Sequence, residues 1–381
     1  MNFRTSLVRK AHRAVVKIGS STLASDPEVY DRIASAIARA RKAEEGPHEV
    51  VLVSSGAIAL GLRALGLKTR PKELAKLQAA AAAGQSTLMR RYEEAFERAA
   101  DGGRMGRVAQ VLLTHADLAD RTRANNARAA LEALLEAGIV PIINENDTVA
   151  VEEIRFGDND QLAALVAALT SADLLVLLSD VEGLLDHDGK RVPLVRDVER
   201  EALPLVRKGE ASPSKAGVGT GGMESKLEAA RRGALAGAAV VIADARGKTT
   251  LDDLFAGKDV GTLVLPQEDR LGARKHWILF TLRPRGTLVI DAGATEALEG
   301  RGGSLLAVGV LGVRGAFGVG DAVQIVDPGG REVARGLAAL AAIDVVRIAG
   351  MRAAAVEAAI GRPIDAVVHR DDLVVLRRKS G

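Results

Sequence analysis

The chain has 381 residues, 48% hydrophobic and 27% charged, with 52 basic against 49 acidic residues for a net charge of +3. That length allows two or three domains and the composition allows a buried core, while the near-balanced charge gives no reason to expect a nucleic-acid or membrane partner. The lack of cysteine excludes disulfides, thiolate metal sites and cysteine nucleophiles, and aromatics at 2% leave the core to Ala, Val, Leu and Ile.

The first residues, "MNFRTSLVRKAHRAVVKIGSS", hold no apolar run long enough for a signal peptide, and no later stretch reads as a membrane span. A cytoplasmic location is expected. The first strand is Ala14–Ile18, with Lys17 near its end and then Gly19, Ser20 and Ser21. A lysine in a buried strand is costly unless it is paired or has a task; the other reading is a strand-end side chain reaching into water. A helical-period segment over Tyr30–Lys42 leads to a second strand, Glu49–Ser55, which ends in "SSGA". Further helical segments, Gln85–Ala99 and Asn125–Ala137, alternate with strands Arg107–Thr114 and Ile139–Asn144. These apolar runs are continuous, as in strands buried on both faces of a parallel sheet. The alternation predicts an α/β fold: an open, mostly parallel sheet sandwiched by helices. Ligands bind such sheets outside the carboxyl ends of the strands.

The fourth strand runs into "NENDTVAVEEIRFGDNDQLAALVA", a dense cluster of Asp147, Asp158 and Asp160 with Asn144, Asn146 and Asn159. Asp158 can cap the helix that follows over Asp160–Leu169. The other acids and amides can bind an ammonium group, position lysines, or ligate a divalent metal through oxygen. A fifth strand, Asp173–Asp180, ends in "SDVEG".

Next comes "AGVGTGGMESKLEAARR", in which Gly217, Gly219 and Gly222 match G-x-G-x-x-G. The preceding "VRKGEASPSK" has no strand character, so the dinucleotide reading fails, and Lys226 lies too far from the glycines for a P-loop. What remains is a glycine-rich loop opening the helix Glu224–Ala236, where backbone N–H groups and Lys226 can face an anion. The sixth strand is Ala238–Asp244. Two lysines, an anion loop and strand-end carboxylates suit phosphoryl transfer, which needs positioning and charge neutralisation. The six histidines show no metal-ligand spacing.

From about Pro284 the texture changes to short strands, many glycines and a "DPGG" turn, predicting a small β-rich barrel or sandwich. The expected organisation is a first domain over 1–266, a linker over 267–285 and a second domain over 286–381. From Gly286 onward eleven basic residues balance eleven acidic ones, so a domain that grips a phosphate backbone is not expected.

The series "VVKIGSS", "VLVSSGAIALG", "LLTHADLADR", "PIINENDTVA", "FGDNDQLAALVA", "LLSDVEGL" and "GTGGMESKLEAA" resembles the glutamate 5-kinase family of the amino acid kinase superfamily. "VIDAGATEAL", "GGSLLAVGV" and "HRDDLV" resemble the PUA domain that many bacterial members carry. The resemblance implies ATP-dependent phosphorylation of the γ-carboxylate of L-glutamate, the first step of proline synthesis, with Mg²⁺ on the nucleotide, proline as inhibitor and a homo-oligomer (dimer or tetramer). By the same resemblance Lys17 and Lys226 would neutralise the transferring phosphoryl group and Asp160 would orient them. Ser55, Asp147 and Asn159 would hold glutamate, with Asp147 facing the α-ammonium. Lys17, Ser179 and Asp180, and the loop Thr220, Gly221, Gly222, Met223, Glu224, Ser225 and Lys226, would contact ATP. The competing expectations are an aspartate or acetylglutamate kinase, and an RNA-binding protein acting through the PUA domain.

Overall fold

The computed structural model describes residues 3–100, 106–150, 159–206, 222–267 and 273–376. Two compact units divide the chain, Met1–Arg270 and Leu271–Gly381.

The first unit is built on an eight-stranded sheet. Its strands are β1 (Arg13–Ile18), β2 (Glu49–Ser54), β3 (Val108–Leu113), β4 (Val140–Glu145), β5 (Leu174–Ser179), β6 (Leu194–Val195), β7 (Ala239–Asp244) and β8 (Thr262–Val264). They lie in the order β3-β4-β2-β1-β5-β7-β8-β6, parallel except between β7 and β8. β1 has β2 on one side and β5 on the other, so the chain reverses its direction of travel across the sheet at β1. That is the switch point at which open α/β sheets take ligands.

The strands are apolar because both faces are covered. Val16 and Ile18 join a core with residues of the helices Val29–Lys42 and Leu74–Ala99. Side chains alternate along a strand, so Val15 and Lys17 face the opposite layer. There the helix Asn159–Leu169 lies against β1, β2, β4 and β5, and the helix Met223–Leu235 lies beside it. Every fully buried Val, Leu or Ile in these layers contributes roughly 1.5–3 kcal/mol.

The alanine-rich stretch is the main departure from the sequence expectation. The helix read as Gln85–Ala99 begins at Leu74. Ala80, Ala81 and Gly84 are buried against the short helix Ala57–Ala64. A Cβ at Gly61 would lie 1.7 Å from the Ala80 carbonyl oxygen, and one at Gly84 would lie 1.8 Å from that of Ala57. The two backbones therefore approach to a distance only glycine permits. Small residues give weak hydrophobic periodicity, which hid the first half of this helix.

The second unit carries a separate five-stranded sheet of β9 (Gly286–Ile290), β10 (Val310–Gly315), β11 (Ala322–Val326), β12 (Glu332–Leu337) and β13 (Leu373–Val375), in the order β10-β9-β11-β12-β13. β9 and β11 are parallel and the other pairs antiparallel. Leu288, Ile290, Val323, Ile325 and Val333 form its core. The segment read as linker contains the helix Ala273–Phe280, whose Ile278 and Leu279 pack with Val374.

Candidate active site

The carboxyl ends of β1, β2, β4 and β5 converge on the first turn of the helix Asn159–Leu169. Two adjacent residues of that turn begin two different networks.

Asp160 holds both lysines singled out in the sequence. Its Oδ1 lies 2.6 Å from the Lys17 ammonium and its Oδ2 lies 3.3 Å from that of Lys226. The three residues are only 7%, 2% and 6% exposed (Lys17, Asp160 and Lys226), which settles the question left open for Lys17: it is paired, not solvated. Burial opposes ionisation of Asp160, yet the two ammoniums hold its carboxyl below the usual range. Among the described residues one carboxylate thus holds two ammoniums. Two buried ammoniums at the sheet's switch point suit a polyanionic ligand. Lys17 comes from the opposite layer of β1, and Lys226 from the first turns of Met223–Leu235. Gln161 fixes that second helix by donating from Nε2 to the Ser225 carbonyl at 3.0 Å.

Asn159 serves the other network. Its Nδ2 donates to the Ser54 carbonyl at 3.1 Å, to Ser55 Oγ at 2.7 Å and to Asn144 Oδ1 at 3.2 Å. Asn144 Nδ2 in turn donates to Gln85 Oε1 at 3.0 Å. Ser55 and Asn159, both expected in a substrate site, are thus in direct contact. Ser54 is fully buried, and its hydroxyl lies 2.9 Å from that of Tyr92.

Asp147 lies two residues beyond β4 and is half-buried. Burial, reinforced by the nearby Glu145 carboxylate and opposed by Arg70, raises its pKa to about 7. A carboxyl held so high is short of a cation, and an ammonium ligand would supply one. Glu145 is itself buried, with Oε1 3.7 Å from His115 Nδ1.

Ser179 ends β5, is buried, and donates to Asp180 Oδ1 at 3.0 Å, while Asp180 is exposed. The register pairs Ser179 with Asp244 of β7, so the nucleotide-side residues expected from the sequence stand at the same end of the sheet as Lys17. Gly222 caps the helix Met223–Leu235. Met223 and Ser225 are half-buried and Glu224 is exposed on its first turn. A negative side chain there is favourable to the helix. Thr220, Gly221 and Asp158 lie outside the described residues.

Gln85 and Gln161 escaped the sequence reading. Gln85 follows an alanine run, and Gln161 stands beside Asp160 in the acid-rich stretch, where the carboxylates drew the reading. The available signal was a glutamine at a core-facing position of its helix, in line with Ala81, Leu88 and Tyr92.

Among the described residues no group of three or more His, Asp or Glu side chains is placed to hold a metal ion, and no helix is long and apolar enough to cross a membrane.

Residues 12–244 match the amino acid kinase family and residues 286–360 match the PUA domain. A glutamate 5-kinase of Citrifermentans bemidjiense is 45% identical over 98% of this chain and 100% of its own length. Those of Myxococcus xanthus and Pseudomonas putida are 48% and 46% identical, over 98% and 97% of this chain and 98% and 100% of their own lengths. The chain belongs to the amino acid kinase family and, within it, to the glutamate 5-kinases.

Proposed function

We propose that this protein transfers the γ-phosphoryl group of ATP to the side-chain carboxylate of L-glutamate, forming L-glutamyl 5-phosphate for proline synthesis. The observation that carries this reading is the buried Lys17–Asp160–Lys226 cluster beside the Asn159–Ser55 amide site. One offers two ammoniums and the other neutral hydrogen bonds, at one end of one sheet.

A carboxylate oxygen of the substrate forms the new bond to the γ-phosphorus as the bond to the β,γ-bridging oxygen breaks. ADP leaves with the electron pair. The attacking carboxylate, with a pKa near 4, is already ionised, so no general base is required. Lys17 and Lys226 offset the charge on the transferring group, and Asp160 holds the two ammoniums in place. Ser55 and Asn159 orient the γ-carboxylate, and Asp147 in its ionised form pairs with the α-ammonium. Ser179, Asp180 and the loop Thr220–Lys226 face the nucleotide. Asp160 is occupied by two lysines, so Mg²⁺ would be held by the nucleotide phosphates and water, where it shields phosphate charge. Proline as inhibitor, assembly into a homo-oligomer and a cytoplasmic location belong to the same reading. The stretch from Gly286 onward, whose charges cancel, is not assigned to nucleic acid.

The test is ADP release, with trapping of the acyl phosphate by hydroxylamine, across L-glutamate, L-aspartate and N-acetyl-L-glutamate. Turnover with glutamate alone is expected. Turnover with aspartate and not glutamate would sink the proposal. A salt-dependent mobility shift of tRNA at submicromolar protein would restore the nucleic-acid alternative.

A further inference from the structure

The polarity of the buried amide chain can be read without ambiguity. The Glu145 backbone N–H donates to Asn144 Oδ1 at 2.9 Å, so that atom is an oxygen. Asn144 Nδ2 is then the donor to Gln85, and the Gln85 atom facing it, at 3.0 Å, must be its acceptor Oε1. At the other end, Asn159 Nδ2 is fixed as a donor by the Ser54 backbone carbonyl at 3.1 Å. Ser55 Oγ therefore accepts from Asn159, and the hydroxyl proton of Ser55 points elsewhere. Ser55 is half-buried, whereas Gln85, Asn144 and Asn159 are buried.

We infer that Gln85 is a positioning residue for the amino-acid substrate: by accepting from Asn144 it braces the chain Gln85–Asn144–Asn159–Ser55 in the direction set by the Glu145 N–H and the Ser54 carbonyl, which leaves the Ser55 hydroxyl as a donor to the substrate carboxylate. This rests on the proposed kinase reading. Gln85 stands one residue after Gly84, where the close approach to Ala57 fixes its helix against the segment that follows Ser55. A reversed Asn159 amide would turn Ser55 into a donor toward Asn159 and present oxygen lone pairs to an anionic ligand, and Asn144, held by Gln85, is one of the acceptors that oppose that reversal. Orientation is cooperative in such a chain, and a link left unmade in a buried place is costly.

Two substitutions separate orientation from packing. Gln85→Met keeps the length of the side chain and removes the acceptor. Gln85→Glu keeps an acceptor oxygen at the same reach. The KM for glutamate is expected to rise about tenfold in Gln85→Met, the loss of roughly one oriented hydrogen bond, with kcat and the KM for ATP changed less than threefold. Gln85→Glu is expected to restore most of the glutamate affinity. Where Gln85→Met does not fold, Gln85→Ala removes the acceptor without added bulk and takes its place. An unchanged KM for glutamate in the folded acceptor-free variant overturns the inference, as does an equal loss in both Met and Glu variants. A wild-type protein without glutamate-dependent acyl phosphate would instead overturn the kinase reading on which the inference stands.

Discussion

Asn159 and Asp160 are neighbours on one helical turn, yet they organise opposite kinds of chemistry. Asp160 gathers two ammoniums into a buried charged cluster. Asn159 gathers a serine and a second asparagine into a buried cluster with no charge at all. On the proposed reading the difference follows from what each side would hold. A transferring phosphoryl group carries charge that must be offset, and low-dielectric surroundings make each lysine count for more. The amino-acid carboxylate must be held in a fixed direction and stay nucleophilic, so neutral donors suit it better than a cation that would quench it. Adjacent residues can serve both because the first turn of the helix points one side chain to β1 and the other to the end of β2.

The charged side is expected to be the more fragile. Asp160→Ala strands two buried lysines, and removal of one partner from a buried ion pair costs about 3–5 kcal/mol. Urea unfolding at pH 7 should show a loss of that size, together with loss of turnover. A change below about 1 kcal/mol would mean the lysines find other partners. The pH dependence has a definite sign. Asp160 is held below its usual value, so its contribution is complete above the ordinary carboxylate pKa, near 3.9, and is lost only as pH falls below that value.

Lys17→Met and Lys226→Met sharpen the contrast. Each leaves Asp160 with one lysine and so a balanced pair. Stability should fall less than in Asp160→Ala, while kcat should drop by about 10³-fold, the scale of losing one donor to developing charge. Retention of near-normal kcat in either variant would remove the lysine pair from the chemistry.

On the neutral side, Gly84→Ala tests whether helix packing supports the amide chain. The added methyl meets the Ala57 carbonyl, and overpacking of this kind costs about 1–3 kcal/mol. Thermal unfolding should register it, and the KM for glutamate should rise with it. A stable variant with unaltered KM would uncouple the helix crossing from the site.

The smallest expected effect is a pH dependence. The pKa of Asp147 is raised to about 7, and in the proposed reading the substrate ammonium pairs with the ionised form. The KM for glutamate should therefore increase about tenfold on going from pH 8 to pH 6. Asp147→Asn should weaken binding and flatten the profile. A wild-type KM that does not respond to pH over this interval would place the ammonium elsewhere.

The charged half of the site was legible in the sequence because its residues are anomalous there. Lys17 interrupts an apolar strand, Asp160 opens an apolar helix, and Lys226 follows a glycine loop. The neutral half was legible only in part. Asn159 and Ser55 stood in recognisable motifs, but Gln85 lies in a helix whose first half was hidden by its own alanines. The meaning of that glutamine depends on Asn144, which is 59 residues away in the chain.

Alternating apolar runs and helical segments by themselves determined an α/β sheet with helices on both faces, since burial on two faces demands continuous hydrophobic strands. Residue type likewise determined which side chains could carry charge at the strand ends. Tertiary structure alone decided that both lysines meet on a single carboxylate, that helices cross closely enough to require glycine, and which way each amide points. These are relations between distant segments. Hydrogen-bond direction is set by the partner rather than by the residue, so no local pattern encodes it.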